Sequence, residues 1–482
     1  MISRLILFFV FSIVLGQISA QSDVRKTVSD LLAHPTFEYA SVALSVKTIE
    51  GDNIIQFNAN QKLIPASSLK LITTLLALDA LGEDFQFTTH IGYSGNIDRA
   101  GNLNGNLIII GSGDPTLGSR RFGKEEAWNK VLEEIISTVK DKGIKCIEGK
   151  VEVKTHVFEG QAICPSWPYA DVANYYAGGA WGLNFNENKY DLHFSAAVPE
   201  GEVATLDHIS PEIPNMVLTS EVVVDGPRTG DNAYIYGDAF NYSKIIRGTI
   251  PFSGDQFVIK GAIPNPPLSF AFLLEKELEK NGIKTKGSVV SKKPIKKSEF
   301  SALTNFKSPK LSRIVEEANL ESINLYCEAL LRMLGRKHKK EGSFEAGLEY
   351  VEEKLDEMGI PSNSYNINDG SGLSPRNTIT ANAFTSFLTS VSEDKEWKYL
   401  KKYIPQTGES GTVSNLLSNK KGQKKFFLKS GSMGGVLTYT GIFEAKSGKK
   451  YAISFMSNNH SNGNRSVRIE AEKVFEALYM GL

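Results

Sequence analysis

Residues that metal, disulfide and nucleic-acid chemistry draw on are scarce in this chain. It has 3 cysteines and 7 histidines in 482 residues, with no spacing of the kind a zinc site needs. Cys146 and Cys164 are the nearer pair for a bridge, and an odd count leaves at least one thiol unpaired. Net charge is also missing: 54 basic side chains balance 54 acidic ones, which argues against nucleic acid as the main partner. No Gly-x-Ser-x-Gly elbow occurs and the histidines are scattered, so a serine–histidine–acid hydrolase is disfavoured. There is no internal repeat and no low-complexity tract. Beyond the N-terminus, no apolar run is long enough to cross a bilayer.

The composition that remains is that of a globular protein, with 22% charged and 41% hydrophobic residues. The length allows two or three domains and a sizeable core. The first residues, "MISRLILFFVFSIVLGQISAQSD", place Arg4 before an apolar stretch from Leu5 to Leu15, then Ile18-Ser19-Ala20. That layout is a secretory signal peptide over 1–20, cleaved after Ala20. An uncleaved anchor helix would need a longer apolar core, of ~20 residues. No cysteine follows the apolar stretch to take a lipid. The mature chain is therefore expected to be exported and soluble, in the periplasm or cell envelope.

Alternation in "FEYASVALSVK" and "NIIQFNAN" across Glu50-Gly51-Asp52 reads as a hairpin. A helix start follows, with Pro65 ahead of Ser67 and apolar residues Leu69, Ile72, Leu75 and Leu76 at helical spacing. "AWNKVLEEIISTVKDKG" is helical, and short strand-like runs ("MVLTSEVVV", "NAYIYGD", "KIIRGTIPF") fill 190–290. Helical periodicity returns as one stretch in "LSRIVEEANLESINLYCEALLRML" and again in "FEAGLEYVEEKLDEMG". The C-terminal part reads strand, turn, strand, then a closing helix, "RSVRIEAEKVFEALYM". The lysine-rich runs at 292–303 and 335–342 read as solvated connectors. The fold class expected is α+β: one domain from 21–88 and 289–482, split by strand-rich accessory domains over 89–288.

Three short patterns carry chemistry. Ser67-x-x-Lys70 lies at a helix mouth, but the same pattern recurs at Ser137/Lys140, Ser392/Lys395, Ser418/Lys421 and Ser447/Lys450. Ser322-x-Asn324 lies inside the helical stretch above, and Lys429-Ser430-Gly431 ends the strand "KKFFL". A second Lys-Ser-Gly, at 446–448, falls where a hairpin turn is the better reading. Each pattern is weak alone, and their order and setting give them weight. A serine hydroxyl needs a base. A lysine one helical turn away serves if desolvation and neighbouring positive charge depress its pKa, and Lys429 would supply that charge. A helix N-terminus and the Ser67 N–H offer donors to an oxyanion.

Taken together, the three patterns match the Ser-x-x-Lys, Ser-x-Asn, Lys-Thr-Gly set of penicillin-binding proteins and serine β-lactamases, with serine at the threonine position. "GNLIIIGSGDPTL", "NDGSGLSPRN" and "GESGTVSNLL" further resemble the D-alanyl-D-alanine carboxypeptidase/endopeptidase family, the low-molecular-mass class C penicillin-binding proteins of peptidase family S13. This resemblance runs from about residue 30 to the C-terminus. It implies a penicillin-binding fold, an antiparallel sheet flanked by helices, with domains inserted between the first two motifs.

By the same resemblance, Ser67 is the acylated nucleophile, Lys70 its base, and Ser322 and Asn324 the second wall. Lys429, Ser430 and Gly431 form the third wall. Lys429 and Ser430 hold the terminal carboxylate of the stem peptide, and the Ser432 N–H completes the oxyanion site. Asp171 and Arg376 would meet the amino end of the peptide side chain. Peptidoglycan stem peptides become the expected partner and β-lactams covalent inhibitors, with no metal and no cofactor. Peripheral membrane or wall association stays open, as does the oligomeric state. A β-lactamase would need a deacylating carboxylate that no motif supplies. A non-catalytic wall-binding module would not need the full set of reactive side chains.

Overall fold

Strand Val436–Glu444 is buried along nearly its whole length in the computed structural model, as a strand must be when helices cover both faces of its sheet. The structure describes residues 24, 26–27, 30, 34–122, 127–394, 397–461 and 463–482. The expected signal peptide, 1–20, lies outside them. The chain divides into two compact units: one holds the described residues up to Leu78 with 315–323 and 348–482, the other 79–314 and 324–347.

The first unit is built on a five-stranded antiparallel sheet of β1 (Ser41–Thr48), β2 (Asn53–Phe57), β3 (Phe426–Met433), β4 (Val436–Glu444) and β5 (Lys450–Asn458), in the order β2-β1-β5-β4-β3. Alternation sorts the side chains. Val42, Leu44 and Val46 of β1 join Tyr439, Phe455 and Phe475 in one apolar core under the C-terminal helix. Ser45 and Lys47 face the other way, to Thr385 Oγ1 at 2.8 Å and Ser386 Oγ at 2.7 Å. Three helices matter for the site: α1 (Lys70–Leu81), α2 (Leu311–Leu320) and α3 (Asn324–Lys339). α4 (Ala381–Asp394) and α5 (Gly463–Gly481) cover the two faces of the sheet. α1 is buried from Lys70 to Leu78, and Asn319 ties α2 to it by donating to Thr74 Oγ1 at 3.2 Å.

The second unit contains a five-stranded mixed sheet, in the order 288–291, 151–154, 107–110, 88–93, 301–307. Smaller sheets include 205–210/189–195/256–262 and 217–225/243–251/234–236. One apolar core joins the large sheet to helices Ala127–Asp141 and Pro266–Lys280.

Two expectations are corrected. The helical stretch around Ser322 is not continuous: α2 ends at Leu320, Ser322 has φ +57°, and α3 begins at Asn324. The Ile323 N–H reaches back to Ala318 O at 3.1 Å, the six-to-one bond that closes a helix through a left-handed residue. The Lys-Ser-Gly triplet does not end its strand either, because β3 runs on to Met433. None of the three cysteines is in a disulfide, so the Cys146–Cys164 pair is unbridged. Lys446-Ser447-Gly448 does fall in the turn between β4 and β5.

Candidate active site

Ser67 is set by a turn that its neighbours hold on two sides. Ala66 has φ +45°, and Ala66–Leu69 forms a 3-10 turn leading straight into α1. Gly372 and Gly431 press against this turn. A Cβ on Gly372 would stand 1.9 Å from Ala66 O, and one on Gly431 would stand 2.4 Å from Pro65 O and 2.8 Å from Ser67 N. Only glycine lets both backbones approach so closely. Thr438 Oγ1 of β4 donates to Pro65 O at 2.7 Å, and Ser68 Oγ lies 2.8 Å from Thr438 Oγ1. Ser68 therefore braces the turn and leaves Ser67 to the cleft.

Lys70 is fully buried, and its Nζ donates to Ser67 Oγ at 2.8 Å and to Ser371 O at 2.8 Å. The Ser371 carbonyl belongs to the loop 368–377, which is organised by the buried Asp369 carboxylate. That group accepts from Gly372 N at 2.8 Å, Ser374 N at 2.6 Å and Asn377 Nδ2 at 2.8 Å. Thr73 Oγ1 donates to Gly370 O at 2.7 Å and locks the loop to α1. Fixed partners on both sides thus hold the Lys70 amine on the serine oxygen.

Ser322 and Lys429 form the second pair. Lys429 is fully buried, and its Nζ donates to Ser322 Oγ at 3.0 Å and to Ser430 O at 2.9 Å. A left-handed backbone is costly for a serine. Here it turns the hydroxyl to the lysine at the point where the helix breaks.

β3 is an edge strand, and its register decides which groups face the cleft. Met433 and Val436 flank a two-residue turn, so rungs alternate from them and Ser430 and Ser432 fall on the rungs whose N–H and C=O point away from β4. The Leu428 N–H, on the same set, donates outward to Pro405 O at 2.8 Å. The Ser432 N–H is thereby aimed at the free edge. Ser67, Ser322, Ser430 and Ser432 line one cleft of about 460 Å³, together with Thr412, Tyr439, Arg465 and Arg468. Ser430 Oγ donates to Thr412 Oγ1 at 2.6 Å. Burial holds the Tyr439 phenol well above its usual range, against the opposing pull of Arg468, so this phenol stays neutral and protonated.

The structure thus brings Ser67, Lys70, Ser322, Lys429, Ser430, Gly431 and Ser432 together in the first unit. Asn324 and Asp171 belong to the second unit, where they are linked through Tyr176. Asn324 Nδ2 donates to Tyr176 O at 2.9 Å, and Tyr176 OH donates to Asp171 Oδ1 at 2.7 Å. Burial and the neighbouring carboxylate both keep that phenol protonated as a donor. Arg376 lies exposed on the first unit outside the Ser67 cleft, with its carbonyl accepting from Asn366 Nδ2 at 3.0 Å. Among the described residues, no group of histidine, cysteine and carboxylate side chains could hold a metal.

Sequence reasoning did not single out Asp369, the Ser371 carbonyl, Thr438, Arg465 or Arg468. The "NDGSGLSPRN" segment holds the first two, and an aspartate ahead of glycines and serines is a signal for a carboxylate-organised loop. The arginines stand in an ordinary amphipathic helix with no local signal.

Comparison with known proteins gives the family. Residues 24–478 match the D-Ala-D-Ala carboxypeptidase 3 (S13) family. The chain is similar to the D-alanyl-D-alanine carboxypeptidase of Actinomadura sp. (strain R39), at 26% identity over 91% of this chain and 82% of that one. It is equally similar to D-alanyl-D-alanine carboxypeptidase DacB of Haemophilus influenzae, at 26% identity over 88% and 87% of the two chains. The crystal structure of penicillin binding protein 4 (dacB) from Haemophilus influenzae superposes with a TM-score of 0.79 and 25% identity, covering 94% of this chain and 98% of that one. With this match over almost its entire length, the chain belongs to the S13 family of D-Ala-D-Ala carboxypeptidases.

Proposed function

We propose that this serine D-Ala-D-Ala carboxypeptidase works through an acyl-enzyme on Ser67. The observation that carries the assignment is the 2.8 Å hydrogen bond from the buried Lys70 Nζ to Ser67 Oγ, in a cleft that Ser322 also lines. Lys70 takes the Ser67 proton as Oγ attacks the carbonyl of the penultimate D-Ala. The Ser67 and Ser432 N–H groups receive the oxyanion. Ser322, bonded to Lys429, passes a proton to the departing amine, and the terminal D-Ala leaves. Water then resolves the acyl-serine. Ser430 and Ser432 offer hydroxyls to the carboxylate of the leaving residue.

Two assignments rest on the family resemblance and not on distances: Asn324 with the substrate amide carbonyl, and Asp171 with the amino end of the stem-peptide side chain. Arg376 is proposed for the same subsite on that ground alone. Cleavage of D-Ala cross-links between strands would use the same serine. With no deacylating carboxylate among the residues lining the Ser67 cleft, penicillin acylates Ser67 and leaves slowly. The apolar N-terminal stretch and a wall substrate together place the mature protein in the cell envelope, outside the cytoplasmic membrane. Among the described residues no helix is long and apolar enough to cross a membrane.

The test is intact-mass analysis after incubation with penicillin, paired with product analysis on defined muropeptides. One adduct per chain that is lost in Ser67→Ala, with D-Ala released from monomeric stems, is the expected result. Rapid steady-state hydrolysis of nitrocefin, or an adduct that persists in Ser67→Ala, would overturn it.

A further inference from the structure

A groove of about 880 Å³ on the second unit is lined by side chains that the Ser67 reaction does not use. That volume lies in the range of small-molecule sites. Leu117, Phe122, Val131 and Phe306 give it an apolar wall. Asp114, Thr116, Ser119 and Ser308, each more than nine-tenths buried, bring polar groups to it.

Most of these polar groups are already satisfied. Ser308 Oγ accepts from Phe87 N at 2.9 Å and donates to Pro309 O at 2.7 Å. Ser119 Oγ donates to Glu187 Oε1 at 2.6 Å, and Arg121 Nε donates to the same oxygen at 3.0 Å. Glu187 also accepts from Tyr326 OH at 2.8 Å, and the Tyr326 ring stacks on Phe122 with centroids 6.3 Å apart. The Arg121 charge is thus answered within the protein, and the same carboxylate fixes both the polar and the aromatic side of the groove.

Asp114 differs. Its Oδ1 accepts from Thr116 N at 2.8 Å and from Thr116 Oγ1 at 2.6 Å, but Oδ2 has no partner among the described residues. The side chain is 3% exposed, and it lines the groove. Burial raises its pKa to about 6 against the pull of the Thr116 bonds, and no basic side chain stands close enough to answer it. At neutral pH the carboxylate is therefore ionised with one oxygen unmatched, where a missing partner is costly. A cation in the groove supplies that partner. A metal ion needs several oxygen ligands, which one free carboxylate oxygen beside phenyl rings does not provide. An ammonium group needs one charged acceptor, and the apolar wall suits the carbon skeleton it is attached to. Lys307 and Arg313, in the same lining, suit a carboxylate on the same ligand.

We propose that this groove is a second ligand site, which takes a free amino acid or short peptide with its ammonium on Asp114 and its apolar part against Phe122 and Phe306. D-alanine, the residue that a D-Ala-D-Ala carboxypeptidase releases, is the simplest member of that class. The proposal goes beyond the Ser67 reaction and does not depend on it.

The experiment is equilibrium dialysis of the full chain, treated first with penicillin so that the Ser67 cleft is occupied. The probes are D-alanine and the dipeptide D-alanyl-D-alanine, each beside its N-acetyl form. A free amine binds, and acetylation weakens it by about ten- to hundredfold, the scale of a hydrogen bond between charged groups. Tighter binding of D-alanine makes the site one for the released amino acid, and tighter binding of the dipeptide makes it one for a peptide. Asp114→Asn keeps an oxygen for the two Thr116 bonds but not the charge. It lowers both amines to the level of their acetyl forms, while penicillin still labels Ser67. Equal binding of free and acetylated probes by the parent, unchanged binding in Asp114→Asn, or no saturable binding at millimolar probe would overturn the proposal. A missing penicillin adduct would instead overturn the Ser67 reaction, and the Asp114→Asn comparison would still decide this one.

Discussion

Lys70 and Lys140 each follow a serine by three residues on a helix, yet their surroundings differ. Lys70 is fully buried and donates to Ser67 Oγ at 2.8 Å. Lys140 is exposed and donates to Asn281 Oδ1 at 2.7 Å, while Ser137 turns to Asp141 at 3.5 Å. The two Lys-Ser-Gly triplets repeat the contrast. Lys429 is buried on an edge strand against Ser322, whereas Lys446-Ser447-Gly448 rounds an exposed hairpin. Identical residues at identical spacing thus diverge because of what surrounds them. The Ser371 carbonyl and the Asp369 loop make the Lys70 site, and nothing equivalent faces Lys140.

The largest effect that separates the two serines is on acylation. Ser67→Ala removes the penicillin adduct and lowers peptidase turnover by about 10⁴-fold or more, whereas Ser137→Ala leaves both unchanged; intact mass and kcat/KM read the pair. Next come the lysines. Lys70→Ala lowers the acylation rate by about 10²–10⁴-fold, the scale of a general base, and Lys140→Ala stays within twofold (roughly the scatter expected of a surface change).

The glycines of the two triplets differ in the same sense. Gly431→Ala drives a methyl into Pro65 O and shifts the Ser67 turn, costing about 10² in kcat/KM. At Gly448 a Cβ meets nothing within 4 Å, but φ is +85°. Gly448→Ala therefore loses only about 1–2 kcal/mol of stability and no activity, as denaturant titration and turnover would show. The smallest contrast concerns the backbone at the helix break. Ser322→Gly and Ser322→Ala lose the same hydroxyl and the same activity, but the glycine variant is the more stable by about 1 kcal/mol in thermal melts, because Ser322 is left-handed.

The elements with clear periodicity were legible before any coordinates. The β1–β2 hairpin, the helix after Ser67, the helix carrying Ser137 and the final helix all carry alternation or helical spacing strong enough to place them. The break at 321–323 was not, since no glycine or proline marks it and serine fills a position that glycine or asparagine usually takes. For the site, the order of the three motifs named Ser67, Lys70, Ser322 and Lys429. Periodicity could not say that Ser371 lends a backbone carbonyl, because any residue has one. Nor could it lift Arg468 out of an amphipathic helix, because its place in the cleft wall is set by tertiary packing.

The strand order has a bearing on synthesis. β1, near the start of the chain, is zipped to β5 at 450–458, and the serine turn is wedged by Gly372 and Gly431, both more than 300 residues downstream. A growing polypeptide therefore carries Ser67, the proposed nucleophile, for most of its length without the strands that wall its cleft. The cleft around Ser67 is complete only once the last strands are in place.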